Sequence, residues 1–128
     1  MKKYLLFSLA ALFMLLAEAH AQADGAVITF KEKEVDYGDI KHGEKVTHVF
    51  TFENTGKQPL VISNVAASCG CTTPEWPKEP IMPGKSGEMK VVFDSTGKRG
   101  AQKATVRIYS NASEPIERIA IITNVMTR

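Results

Sequence analysis

From Val27 to Val125 apolar side chains recur at every second position in short runs, and each run is cut off by a turn signal. Side chains of an extended strand point alternately to its two faces, so this period buries one face and leaves the other in water. The clearest run is Lys45 to Asn54, where Val46, His48, Phe50 and Phe52 share one side and Thr47, Thr51 and Glu53 share the other with Val49. Ser86 to Asp94 repeats it, with Gly87, Met89, Val91 and Phe93 inward and Glu88, Lys90 and Asp94 outward. Next, Ala104, Val106 and Ile108 face inward between Lys103, Thr105, Arg107 and Tyr109, and Ile116 to Val125 puts Ile119, Ile121 and Val125 on one face. Shorter runs are Val27 to Phe30, Glu34 to Tyr37 (read as its continuation, stopped by Gly38-Asp39) and Pro59 to Ala67, with Leu60, Ile62 and Val65.

The punctuation is equally informative. Asn54-Thr55-Gly56 ends the best run, its glycine free to take positive φ. Ser95 to Gly100 is a turn with two glycines. Ser68 to Gly84 carries Pro74, Pro77, Pro80 and Pro83 and reads as a long loop, since each proline removes a ladder donor and is excluded from a central strand. Short strands spaced by about 8 to 15 residues predict an all-β fold, an immunoglobulin-like antiparallel β-sandwich of about seven strands. A closed barrel is the competing architecture; length and strand count favour the sandwich. The Cys…Trp…Cys spacing of antibody domains is absent.

Ahead of this region the chain opens with Lys2 and Lys3, then an apolar run from Tyr4 to about Ala17 broken only by Ser8, then Ala19-His20-Ala21. A run of roughly 13 residues suits a secretory signal and falls short of the ~20 needed to span a bilayer. The small-x-small pattern predicts cleavage after Ala21, with Ala21-Gln22-Ala23 as a second choice. Residues 1–21 are therefore expected to be a signal peptide and 22–128 a single β-sandwich domain, periplasmic or secreted. No lipid anchor is expected, because no cysteine lies near the cut, and no later segment is long and apolar enough to span a membrane.

The whole chain has 16 basic and 14 acidic residues; setting aside Lys2, Lys3 and Glu18 leaves 14 and 13. A nearly neutral domain gives no electrostatic support to nucleic-acid binding. Two cysteines are too few for a disulfide-stapled mini-protein.

An ordered set of short motifs carries a family resemblance. Tyr37-Gly38-Asp39-Ile40 is followed by Gly43-Glu44-Lys45, then Phe50-Thr51-Phe52-Glu53-Asn54-Thr55-Gly56, Pro59-Leu60-Val61-Ile62 and Ser68-Cys69-Gly70-Cys71-Thr72. Ile81-Met82-Pro83-Gly84, Phe93-Asp94-Ser95, Lys98-Arg99-Gly100 and Tyr109-Ser110-Asn111 complete it. Together, from about Val35 to Val125, they resemble domain-of-unknown-function family 1573 of exported bacterial proteins. The resemblance implies an immunoglobulin-like fold and distant kinship with sperm-protein-like and cilia-associated β-sandwich domains, which serve as binding and scaffolding modules. It implies no established activity. Where the family often has glycine this chain has Asn124.

Chemistry, if any, is expected at Cys69 and Cys71. In an extended strand the two Cβ atoms of an i, i+2 pair are too far apart to bond; Gly70 lets the chain turn and bring the sulfurs together. The ring so closed is small and easily reduced. Four readings stay open: two small half-buried residues or a passive local disulfide, a thiol–disulfide exchange site, a soft-metal site favouring Cu(I), and intermolecular disulfides. Zinc wants four ligands, and only His42 and His48 accompany the thiols in the domain, without ligand spacing.

The remaining candidates are read as structural. His48 belongs at the core edge, His42 in a solvated turn, and Asp36, Asp39, Glu44 and Glu53 at strand ends and turns. Trp76 either covers the open end of the sandwich or offers an aromatic to a partner. Lys98-Arg99 is solvated charge, and Asn111-Ala112-Ser113 matches a glycan sequon that the bacterial resemblance makes coincidental. No catalytic residue, metal site or cofactor is expected. The expected function is that of a non-enzymatic binding or scaffolding module for another exported protein, through a sheet edge or the Trp76 loop; the alternative is thiol redox or Cu(I) handling at Cys69 and Cys71. A glycan-binding module has little support, with chiefly Trp76 and Tyr109 as exposed aromatics.

Overall fold

The computed structural model describes residues 25–127; the expected signal peptide, residues 1–21, and its cleavage site lie outside them. Eight strands follow in order: β1 (Ile28–Phe30), β2 (Glu34–Lys41), β3 (Lys45–Asn54), β4 (Ile62–Ala67), β5 (Thr72–Glu75), β6 (Ser86–Asp94), β7 (Gly100–Ser110) and β8 (Ile116–Met126). They form two four-stranded sheets, the first ordered β1-β3-β6-β5 and the second β2-β8-β7-β4. This is the expected all-β immunoglobulin-like sandwich, and among the described residues no helix is long and apolar enough to cross a membrane.

The alternation places the core. Phe50 lies opposite Met89, His48 opposite Val91 and Val46 opposite Phe93 across β3 and β6. In the second sheet Ala104 meets Ile121 and Val106 meets Ile119. Phe50, Phe52, Met89, Val91 and Phe93 from the first sheet pack, fully buried, in one cluster with Val106, Ile108, Ile119, Ile121 and Val125 from the second. Each such side chain contributes about 1.5–3 kcal/mol relative to exposure.

Four features differ from the sequence expectation. The run at Glu34 neither continues β1 nor stops at Gly38-Asp39. It is a separate strand in the opposite sheet, and it pairs with β8 in parallel, whereas every other strand pairing among the described residues is antiparallel. Val35 stands beside Ile121 and Ile40 beside Val125, so β2 holds one residue more than β8 over the same stretch. That extra residue is a bulge at Gly38, whose φ of 68° suits glycine. It lets both Val35 and Ile40 face the interior although five positions separate them.

The proline-rich stretch is not all loop, since Thr72–Glu75 forms an eighth strand, β5, against β6. It is an edge strand, where Pro74 is tolerated because one side of the strand needs no ladder donor. The Pro59 to Ala67 run splits: β4 begins at Ile62, and Leu60 sits apart in a bridge with Ile81, with both backbone bonds 2.8 Å long. Finally, Gly56 does not use positive φ. A Cβ there would collide with the backbone of Gly25 and Val27, so crowding is what demands glycine.

Asn54, at the end of β3, is fully buried. Its Nδ2 donates to the carbonyls of Gln58 (2.7 Å) and Ile81 (2.8 Å). Its Oδ1 accepts from the N–H groups of Gly56 (3.0 Å) and Val27 (3.3 Å). One amide thus ties together the chain before β1, the turn after β3 and the segment leading to β6. Asn124 sits in an unbroken β8 and donates to Asp39 Oδ1 at 2.8 Å.

Candidate functional site

The Cys-Gly-Cys segment lies where the chain changes sheets. It leaves the second sheet at Ala67 and enters the first at Thr72, so residues 68–71 form the corner. Ser68 anchors one side, its N–H donating to Thr105 O at 2.9 Å and its Oγ accepting from Thr105 N at 3.3 Å. On the other side Asp94 N donates to Cys71 O at 2.9 Å, and Thr72 N closes the turn onto Cys69 O at 3.3 Å.

Within that corner Cys69 and Cys71 are joined by a disulfide, and neither is free. Their Cα atoms are 5.3 Å apart, inside the range a disulfide needs and shorter than the roughly 6.6 Å of an extended i, i+2 pair. The bond is one of the possibilities the spacing left open, and Gly70 does not close it through a left-handed backbone, because its φ is not positive. The hydroxyl of Thr72, a buried residue, lies 3.6 Å from each sulfur. Cys71 packs with Ala67 and Trp76 against the core.

A cleft of about 210 Å³ opens beside the corner, lined by Cys71, Gly70, Thr73 and Val92 and by Lys45, Asp94 and Thr96. Lys45 and Asp94 face each other across β3 and β6. Asp94 Oδ1 accepts from Thr96 N at 3.0 Å and Thr96 Oγ1 at 2.7 Å. These two bonds, the backbone one first, hold the Asp94 carboxyl below its ordinary value; burial works against them, and the Lys45 charge adds the smallest push downward.

Trp76 is half-buried and packs against the core near the corner, with Lys78 Nζ 3.0 Å above its ring. The other candidates are scattered. His48 sits at the flank between the sheets: its Nδ1 is 2.9 Å from the Tyr37 hydroxyl, its Nε2 is 2.6 Å from Glu32 Oε1, and its ring meets Phe50 edge-on. His42 Nε2 accepts from Gly97 N at 3.0 Å. Asp36 and Glu44 accept from the backbone N–H groups of Gly38 and Lys41. Asn111 spans Val61 N and Pro59 O. Among the described residues no three His, Cys, Asp or Glu side chains come together as a metal site.

Sequence reasoning missed a feature beside the corner, the free edge of β4. Ala66 pairs with Arg107 and Val65 with Ile108. The bond from Ser68 N to Thr105 O lies in the same ladder, two residues further along β4. In an antiparallel ladder such bonds alternate, so Ala66 turns its backbone groups toward β7 while Val65 and Ala67 turn theirs outward. No strand pairs on that outer side among the described residues. The signal in the sequence was the absence of Pro, Gly and charge from Ile62–Ala67, which is unusual for an edge strand.

Among solved structures the fold is similar to a protein of unknown function from Porphyromonas gingivalis W83, with 22% identity and a TM-score of 0.69 over 83% of this chain and 50% of that one. It is also similar to the secreted serine protease VesC from Vibrio cholerae, with 14% identity and a TM-score of 0.62 over 77% of this chain and 23% of that one. PapD-like domain 7 of human CEP192 is a third, with 9% identity and a TM-score of 0.64 over 81% and 88%. At these identities the likeness is one of fold, and the chain spans about half the length of the first protein and under a quarter of the second. No curated protein matches the sequence. The family model for proteins of unknown function DUF1573 matches residues 28–125, from β1 to the end of the β8 core. The motif order, the two-sheet sandwich and that match agree: the chain belongs to the DUF1573 family.

Proposed function

We propose that this protein is an exported, non-enzymatic binding module that accepts an extended segment of another exported protein along the free edge of β4. The observation that carries the reading is the contrast between β4 and the three other sheet edges. β1 is three residues long, β2 is kinked by its bulge, and β5 has four residues including Pro74. Each is blunted in a way that discourages strand addition. β4 has six residues with no proline, glycine or charge, is irregular only between Ile62 and Asn64, and presents the outward N–H and C=O of Val65 and Ala67. An incoming strand would satisfy those groups by main-chain hydrogen bonds.

Ala67→Pro tests this, because it removes an N–H that faces outward and leaves the β7 ladder intact. A photo-crosslinking residue at exposed Asn64 should capture a discrete partner in intact cells. The A67P change should abolish the adduct while the purified variant still melts cooperatively. An adduct pattern indifferent to A67P, or none above background, would sink the reading.

A second reading, thiol–disulfide exchange at Cys69 and Cys71, is favoured by a bond closed across one residue beside an open cleft. An incoming dithiol would be oxidised to its disulfide as this one is reduced, and Cu(I) would bind only the dithiol so formed. Alkylation and mass measurement after a mild dithiol pulse test it; a pair that stays oxidised removes both the exchange and the copper variants.

A further inference from the structure

Arg107 on β7 and Arg118 on β8 stand directly opposite each other, both exposed on the outer face of the second sheet. Among the described residues neither guanidinium has an ion pair or a side-chain hydrogen bond. Two lysines that line a cleft with Arg118 are already neutralised, Lys33 by Glu117 and Lys103 by Glu34, at 2.9 Å each. Like charges directly opposite on a sheet repel, and a planar fork of donors matches a carboxylate. The adjoining cleft of about 430 Å³, with Ala120 and Ile119 among its lining residues, leaves Arg118 bordering open space.

The pair belongs to a row. Ala66, Arg107 and Arg118 lie side by side across β4, β7 and β8, and the row begins at the free edge. An added strand would lie about 5 Å beyond β4, hence about 10 Å from β7. A glutamate and an arginine side chain together cover that span, and between them stands only the methyl group of Ala66. The neighbouring row on the same face is Asn64, Tyr109 and Ile116, with Ile116 exposed.

We propose that the segment docking on β4 is acidic: it places a glutamate beside Ala66, whose carboxylate is received by Arg107 with the Arg118 charge behind it, and an apolar side chain two positions away toward Tyr109 and Ile116. The inference rests on the β4 reading and names the chemistry of its partner. A peptide is favoured over a free anion because the cations adjoin an open main-chain edge.

The probe is a capped nonapeptide alternating threonine and valine, with lysine ends and one central glutamate, titrated by calorimetry into the full folded domain beside its glutamine counterpart. The glutamate peptide should bind about tenfold or more tightly, by a margin that shrinks with salt. Arg107→Gln should erase that margin and Arg118→Gln reduce it, both leaving the glutamine peptide unchanged, while A67P removes binding of both. Equal binding of the two peptides, both lost in A67P, overturns the acidic preference and leaves strand addition standing. Failure of both peptides to bind overturns strand addition as well. Phosphate or heparin binding at the arginines as tightly as the glutamate peptide, with no effect of A67P, makes the pair an anion site unconnected to β4 and overturns the proposal.

Discussion

Asn54 shows how far one side chain can organise a sheet end. Its amide meets four backbone groups, and Ile81 among them lies 27 positions away. Asn54→Ala removes all four bonds, leaving Ile81 O with Leu60 N alone and the N–H groups of Val27 and Gly56 without their acceptor, and should lower stability by about 2–4 kcal/mol in urea denaturation. Asn54→Asp should cost at least as much near neutral pH, since acceptors would then face the carbonyls of Gln58 and Ile81. In the sequence Asn54 is legible only as a turn breaker, because its role depends on segments that pairing brings together. Asp94 supplies a pH signature. Its folded carboxyl titrates below the ordinary 3.8, so it stabilises the fold above that value and ceases to as pH falls through the folded one. Thr96→Ala removes the hydroxyl donor and should move the Asp94 carboxyl back toward 3.8, read by carboxyl-carbon NMR. The stability gap between wild type and Asp94→Asn should narrow on acidification.

At the level of elements the strands rich in alternation were plain from the sequence, and the short or interrupted ones were not. β3, β6, β7 and β8 each keep one face buried over many residues, so period two dominates. β2 was cut short because its bulge at Gly38 shifts the alternation between Val35 and Ile40, which on a straight strand would face opposite ways. β5 was hidden by Pro74, which rules out a central strand and permits an edge. For the adjacent cysteine corner the spacing allowed a bond without fixing it, and its place was illegible, since nothing local says that residues 68–71 join two sheets. The disulfide closes so small a loop that the chain-entropy account gives it less than about 2 kcal/mol. The double change Cys69→Ser with Cys71→Ser should accordingly leave a cooperatively folding protein, with a midpoint only slightly lowered in thermal denaturation.

For the molecule as a whole, alternation told that two layers close over a shared interior; it did not tell which strands are neighbours. The β4 edge and the Arg107–Arg118 pair became visible only once that order was known, because edges and cross-strand partners are properties of the pairing. The parallel union of β2 with β8 carries a further consequence. Asp39 and Asn124, bonded across it, are 85 positions apart, and β8 is also the partner of β7. A chain that emerges from its N-terminus must hold β2 unpaired until β8 has appeared, so this domain cannot finish assembling piecemeal during synthesis or passage through a pore. A version ending before Ile116 should show no cooperative melt, and a tether that keeps β8 inside a channel should arrest the rest short of its final form.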